Sequence, residues 1–91
     1  YKHCAIVTVM YHERPHDNVA WEIFYPAGPF ALLPLLDEAG RHRSALVWTV
    51  AAKDRAALLA LGERAFLAEV QERMGGMFGA LALAAPRMAY P

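Results

Sequence analysis

Apolar runs rich in β-branched and aromatic residues, separated by turn-forming stretches, fill the first half of the chain, and a helical period takes over in the second. Ala5 to Tyr11 is rich in β-branched and aromatic residues and predicts a strand, and the turn-forming stretch Glu13-Arg14-Pro15-His16-Asp17-Asn18 follows it. A second extended segment, Val19 to Tyr25, puts Trp21, Ile23 and Tyr25 on one side and Glu22 and Phe24 on the other, until Pro26-Ala27-Gly28-Pro29 breaks it. Phe30 to Leu36 predicts a third strand. Asp37 to Arg43, charged and holding Gly40, predicts a solvated hairpin loop before a fourth strand over Ser44 to Val50. Strands placed in series in this way predict an antiparallel meander.

Beyond Ala52, Leu58 and Leu61 and then Phe66, Leu67, Val70 and Met74 recur at helical spacing, with Glu63, Arg64, Glu69, Glu72 and Arg73 between them. Two amphipathic helices are predicted, interrupted near Gly62. Gly75-Gly76 is a natural stop for the second, because glycine accepts the left-handed conformation that closes a helix. The tail Leu81 to Tyr90 predicts a final strand. The class is α+β: an antiparallel sheet of four to five strands with two helices packed on one face.

Composition adds constraints that the pattern does not. The chain has 91 residues, enough for one hydrophobic core, so residues 1–91 are expected to form a single domain. Its hydrophobic fraction of 57% exceeds the roughly 45–50% usual for soluble domains, which implies that some apolar surface faces a partner. Nine basic and nine acidic residues cancel, and no Lys/Arg cluster is interleaved with aromatics, which argues against nucleic acid as a partner. The single Cys4 leaves no internal disulfide framework or multi-cysteine zinc site. With no apolar run of the ~18–20 residues that cross a bilayer and no signal-peptide pattern, a soluble chain is expected. It begins at Tyr1 inside a strand-like pattern and stops at Pro91 straight after an apolar stretch, so it reads as a piece of something longer.

Candidate chemistry is sparse. His12 and His16 have the spacing of a helical metal pair, but Pro15 between them works against a helix. His42, flanked by Arg41 and Arg43, offers either an anion site or merely a solvated hairpin tip. Gly75, Gly76 and Gly79 faintly echo a nucleotide-binding loop, yet they follow a helix where that loop must precede one. No Ser, His and acid set announces a triad, and Cys4 and His3 point to opposite faces of a strand. Among Glu13, Glu22, Asp37 and Glu38, only Glu22 stands within a strand among apolar neighbours, as a general acid or base or simply as a solvent-facing carboxylate. Trp21, Phe24, Tyr25, Phe30, Trp48 and Leu32-Leu33-Pro34-Leu35-Leu36 remain. They are either ordinary core or, taken as a sheet face, one wall of a pocket for a greasy aromatic ligand.

The stretch Pro15 to Leu35 resembles the middle domain of the ubiquinone-biosynthesis hydroxylases, flavin-dependent aromatic monooxygenases with the para-hydroxybenzoate hydroxylase fold. His16, Ala20, Trp21, Phe24, Gly28, Pro29, Ala31, Leu33, Pro34 and Leu35 match the family pattern. The resemblance continues through Ser44-Ala45-Leu46-Val47-Trp48-Thr49, Phe66-Leu67-x-x-Val70-Gln71, Met74-Gly75, Phe78-Gly79 and Arg87-x-x-Tyr90-Pro91. The main departure is Ile23, where the family has a long polar residue.

The resemblance implies a substrate-side sheet domain whose face covers the isoalloxazine and shapes the pocket for a polyprenylated phenol. The parent enzyme would use FAD, NAD(P)H and oxygen to hydroxylate the ring, with FAD held by a separate domain and no cofactor bound to this fragment. No residue here needs to be catalytic, since flavin supplies the reactive oxygen and the protein positions the substrate and excludes water. Phe24, Phe30, Leu32 and Trp48 are the expected substrate-binding residues, and Gly28 and Pro29 shape the turn. The parent is expected to be cytoplasmic, or peripheral to a membrane, and the isolated fragment inactive and prone to self-association. Two alternatives stand beside it: a stand-alone α+β binding or dimerisation module, and a related flavin hydroxylase acting on another aromatic.

Overall fold

In the computed structural model, which describes residues 2–91, the alternating segments become the strands β1 (His3–His12), β2 (Trp21–Tyr25), β3 (Gly28–Glu38) and β4 (Arg41–Ala51). A single 3₁₀ turn leads into the short helix α1 (Arg55–Ala60), and α2 (Glu63–Met74) follows; β5 (Leu81–Leu83) and β6 (Met88–Tyr90) close the chain. The six strands form one antiparallel sheet in the order β2-β3-β4-β1, with β5 and β6 sharing the outer edge of β1. The expected α+β class is what the structure has, with six strands where four to five were predicted.

The predicted meander holds only for β2, β3 and β4. Instead of lying beside β2, β1 pairs with β4 from His3–Ala51 to His12–His42. Both strands carry the same alternation. Cys4, Ile6, Thr8, Met10 and His12 are buried on β1, as are Ser44, Leu46, Trp48 and Val50 on β4, so pairing them joins two matched apolar rows. With only five residues, β2 cannot offer as long a ladder and lies at the edge. Residues 13–20 therefore cross the end of the sheet rather than forming a hairpin.

The core lies between one sheet face and α2. Phe66, Leu67, Val70 and Met74 of the helix meet Ile6, Met10, Phe30, Leu32, Leu46 and Trp48 of the sheet, and Trp48 and Phe66 have ring centroids 5.8 Å apart. Gly75, with φ 66°, closes α2 and its N–H donates to the Gln71 carbonyl at 2.9 Å, as the glycine stop predicts.

Several boundaries move for local reasons. The predicted loop Asp37–Arg43 shrinks to a two-residue turn at Ala39-Gly40, both at positive φ (51° and 76°), the conformation whose twist matches a tight hairpin. Val19 and Ala20 stay outside β2, because Asp17 and Asn18, at φ 54° and 60°, make a left-handed turn closed by Val19 N–H to His16 C=O at 3.1 Å. The predicted tail strand divides into β5 and β6 around Pro86, which has no N–H for a ladder.

Candidate functional site: the uncovered face of the sheet

Strand pairing lays out the face opposite α2 as a grid. One row runs Glu22, Ala31, Val47, Val7 and Met88 across β2, β3, β4, β1 and β6; the next holds the pair Phe24 and Pro29 on β2 and β3 and, beyond the last β3–β4 pair, Thr49, Ala5 and Tyr90 on β4, β1 and β6. Leu33, Ala45 and Val9 form a third row on β3, β4 and β1. Short residues therefore floor the middle, while Phe24 and the Met88–Tyr90 pair stand at opposite margins, ~19 Å apart at four inter-strand spacings. Phe24, Leu33, Met88 and Tyr90 are all exposed large hydrophobics, and Phe24 keeps 76% of its surface open. Such a continuous apolar face marks an interaction or ligand-binding surface.

Gly28 sets the close approach of the β2–β3 turn to β4. It has φ 135°, and a Cβ there would lie 2.5 Å from the Thr49 Cγ2 atom, so only glycine lets the turn settle against the strand. Phe24 is held at the margin of the face by this turn, pairing with Pro29 directly beyond Gly28.

The structure separates the residues expected to bind substrate. Phe24 is on the open face. Phe30, Leu32 and Trp48, with 0%, 1% and 4% of their surface exposed, point the other way into the core under α2. They back the wall from inside, and Phe30 spans from Trp21 to Trp48 in edge-on aromatic contacts at 6.2 and 5.6 Å. Val47, Met88 and Tyr90 are face residues that sequence reading missed, whereas Leu33, one of the leucines grouped there as a sheet face, lies on the open side. The available signal was parity relative to Glu22 and Phe24, but both faces of β1 and β4 read as apolar, so alternation alone could not say which was covered.

At the end of the sheet the histidines are structural. His12 Nδ1–H donates to the Arg14 carbonyl at 2.6 Å and its Nε2 accepts from the Ser44 hydroxyl at 2.9 Å, while its ring stacks on Phe78 at 4.3 Å. His16 Nε2–H donates to the Leu35 carbonyl at 2.8 Å and its Nδ1 accepts from Asn18 N–H at 2.9 Å. All the ring nitrogens of the pair are thus occupied by protein groups, and no group of three or more metal-binding side chains occurs among the described residues. The two rings pin residues 13–20 across the sheet end. Burial, first, and the neighbouring His16 and His42 hold the His12 pKa below its ordinary value against the raising effect of the Arg14 and Arg43 carbonyls.

The cations of the Arg41-His42-Arg43 run do not converge on a common point. Arg41 lies over the Tyr11 ring at 3.6 Å, His42 Nδ1 is 3.1 Å from Asp37, and Arg43 donates to the Leu36 carbonyl at 3.0 Å with Glu38 at 3.7 Å. Each has a partner of its own, which removes the anion-site reading. The Tyr11 hydroxyl donates to Glu38 at 2.7 Å, and that bond to the carboxylate pushes its pKa up.

The residues present fit only part of a flavin nucleotide. A flat apolar face floored by alanine and valine suits an aromatic ring laid against it, but among the described residues no glycine-rich loop leads from a strand into a helix: Gly62 alone opens α2, directly after α1, and Gly75, Gly76 and Gly79 follow α2. Among the described residues no helix is long and apolar enough to cross a membrane.

Fold and surface together define an α+β sheet domain with one apolar face covered by a helix and the other bare. Comparison with known proteins adds its kin. The chain is 42% identical to ubiquinone hydroxylase UbiL of Rhodospirillum rubrum over 90 residues, 99% of this chain and 20% of that protein. It is 38% identical over 68 residues, 74% of this chain, to the mitochondrial ubiquinone biosynthesis monooxygenase COQ6 of Xenopus tropicalis and of Homo sapiens, covering 14% of each. No protein-family model matches it. The chain is thus homologous to ubiquinone-biosynthesis hydroxylases and monooxygenases over most of its own length, and it spans a fifth or less of theirs.

Proposed function

We propose that residues 1–91 are the substrate-side sheet domain of an FAD-dependent monooxygenase that hydroxylates a polyprenylated phenol in ubiquinone biosynthesis. The observation that carries the reading is the bare apolar face on a chain 42% identical, along nearly all its length, to a ubiquinone hydroxylase. A flavin reduced by a nicotinamide supplies the activation of oxygen when it is bound, and it is held by a domain outside this chain. This chain's task is to bind and orient the ring and to exclude water. Phe24 and Leu33 close over the ring's edges, Ala31, Ala45 and Val47 give it a flat floor, and Phe30, Leu32 and Trp48 keep that floor rigid from behind. By itself the domain has no hydroxylase activity.

The test is to purify the protein encoded by the whole reading frame that contains this sequence and record its visible spectrum. A flavin spectrum that bleaches with NADH or NADPH, together with hydroxylation of a short-chain prenylated phenol, is the expected result. A colourless protein whose copies associate through the bare face would instead establish the stand-alone module. A flavoprotein that turns over only unprenylated aromatics would move the substrate class.

A further inference from the structure

We infer that Glu22 is the acceptor that holds the phenolic hydroxyl of a ring bound on the uncovered face, and so selects which ring carbon is presented for reaction. The inference rests on the proposed function and adds a residue and a contact to it.

Three observations lead there. First, parity: Trp21 and Ile23 turn toward the core, so Glu22 and Phe24 belong to the open face, with Glu22 directly across from Ala31. Second, isolation: in the three central rows of that face Glu22 is the sole ionisable carboxylate or amine, among Ala31, Val47, Val7 and Met88 in its own row and alanine, valine, leucine, proline, threonine and aromatic residues in the others. Third, availability: the acids that follow β1 and end β3 are engaged, and Asp17 and Asp54 lie outside the strands, in the 13–20 crossing and in the 3₁₀ turn after β4. Glu13 accepts from Ala80 N–H, Asp37 meets His42, and Glu38 takes Tyr11 and Arg43, whereas Glu22 makes no ion pair or side-chain hydrogen bond among the described residues.

The surroundings make the carboxylate useful. Ala31 and Val47 are short, so a ring can lie flat over them with its edge toward Glu22 and its opposite face free for whatever covers the sheet. Once water is excluded, a hydroxyl donating to a carboxylate makes a charge-assisted bond, stronger than a bond between neutral groups and directional. An aromatic ring held only by apolar contacts can rotate in its plane; one such bond fixes the rotation. A competing account makes Glu22 a charge that keeps the edge strand β2 from pairing with another chain. That account needs no ligand and predicts no chemical preference among ligands.

The experiment uses the full-length flavoprotein and two probes, a short-chain prenylated phenol and its O-methyl ether, which lacks the donor. Binding is followed through the flavin absorbance change. The unaltered protein should prefer the phenol by about 10–100-fold, the range for a hydrogen bond to a charged group. Glu22→Ala should bring the two probes to within about twofold of each other, with Glu22→Asp between, and should scatter the ring position of hydroxylation. Glu22→Ala lies on an exposed edge strand and should leave the circular dichroism spectrum unchanged. Full preference for the phenol in Glu22→Ala would overturn the inference while leaving the proposed function in place. A protein that binds neither probe would bring down the proposed function, and Glu22's role with it.

Discussion

The two faces of this sheet are made by the same strands and, position by position, by neighbouring residues, yet they are built to opposite specifications. The covered face carries Phe30, Leu32, Leu46, Trp48, Ile6 and Met10, large side chains that interdigitate with Phe66 and Val70 of α2. The open face carries Ala5, Ala31, Ala45, Val7, Val9 and Val47, side chains too short to fill a core by themselves, with bulk only at the margins. A face that must be filled from within uses volume; a face kept for a flat partner uses smoothness. Hydrophobicity alone therefore does not separate the two faces of this sheet; the size of the apolar side chains over β4 and its neighbours does.

Truncation should expose the contrast most strongly. Phe66→Ala empties the centre of the covered face and is expected to cost about 3–5 kcal/mol in urea unfolding, whereas Val47→Ala on the open face should cost well under half of that. Equal losses would mean that the open face is part of the core.

Gly28→Ala tests the turn that holds Phe24 at the margin. The positive φ and the collision with Thr49 together should cost about 2–4 kcal/mol, read as a lower denaturation midpoint. A neutral result would show that the turn is free to shift.

A smaller effect is expected at the sheet end. His12 in the folded chain binds its proton more weakly than in the unfolded chain, so the unfolded state takes up more protons as the pH falls. The contribution of His12 is complete above about pH 6.5 and is lost as the pH drops through its lower folded value. His12→Gln, which keeps a donor and an acceptor, should flatten that part of the stability profile. An unchanged profile would assign the slope to other groups.

The smallest effect on stability belongs to the open face itself. Phe24→Ser is expected to shift the unfolding free energy of the isolated domain by no more than about 0.5 kcal/mol. The same change should weaken the domain's self-association in equilibrium sedimentation. A monodisperse monomer before the substitution would remove the premise that the bare face seeks a partner.

Much of the architecture was legible because strand and helix periods differ and because glycine and proline punctuate the chain. The first four strands, the break near Gly62 and the cap at Gly75 follow from those signals. The histidines were legible as polar and not as clamps, since the partners of His12 and His16 are a hydroxyl, carbonyls and a backbone N–H, the farthest of them 32 residues away. Phe24 could be placed on the face opposite Trp21 from alternation. The location of Phe30, Leu32 and Trp48 could not, because their strands are apolar on both sides.

Element types, turn chemistry and the kinship to ubiquinone-biosynthesis hydroxylases follow from local periodicity and residue identity, and so were present in the amino-acid order alone. That β1 lies beside β4 rather than β2, and that α2 covers the Trp48 side and leaves the Phe24 side bare, became visible in the folded chain. Both are choices among long-range pairings of similar apolar rows, and they are settled by which pairing buries the most bulk at once.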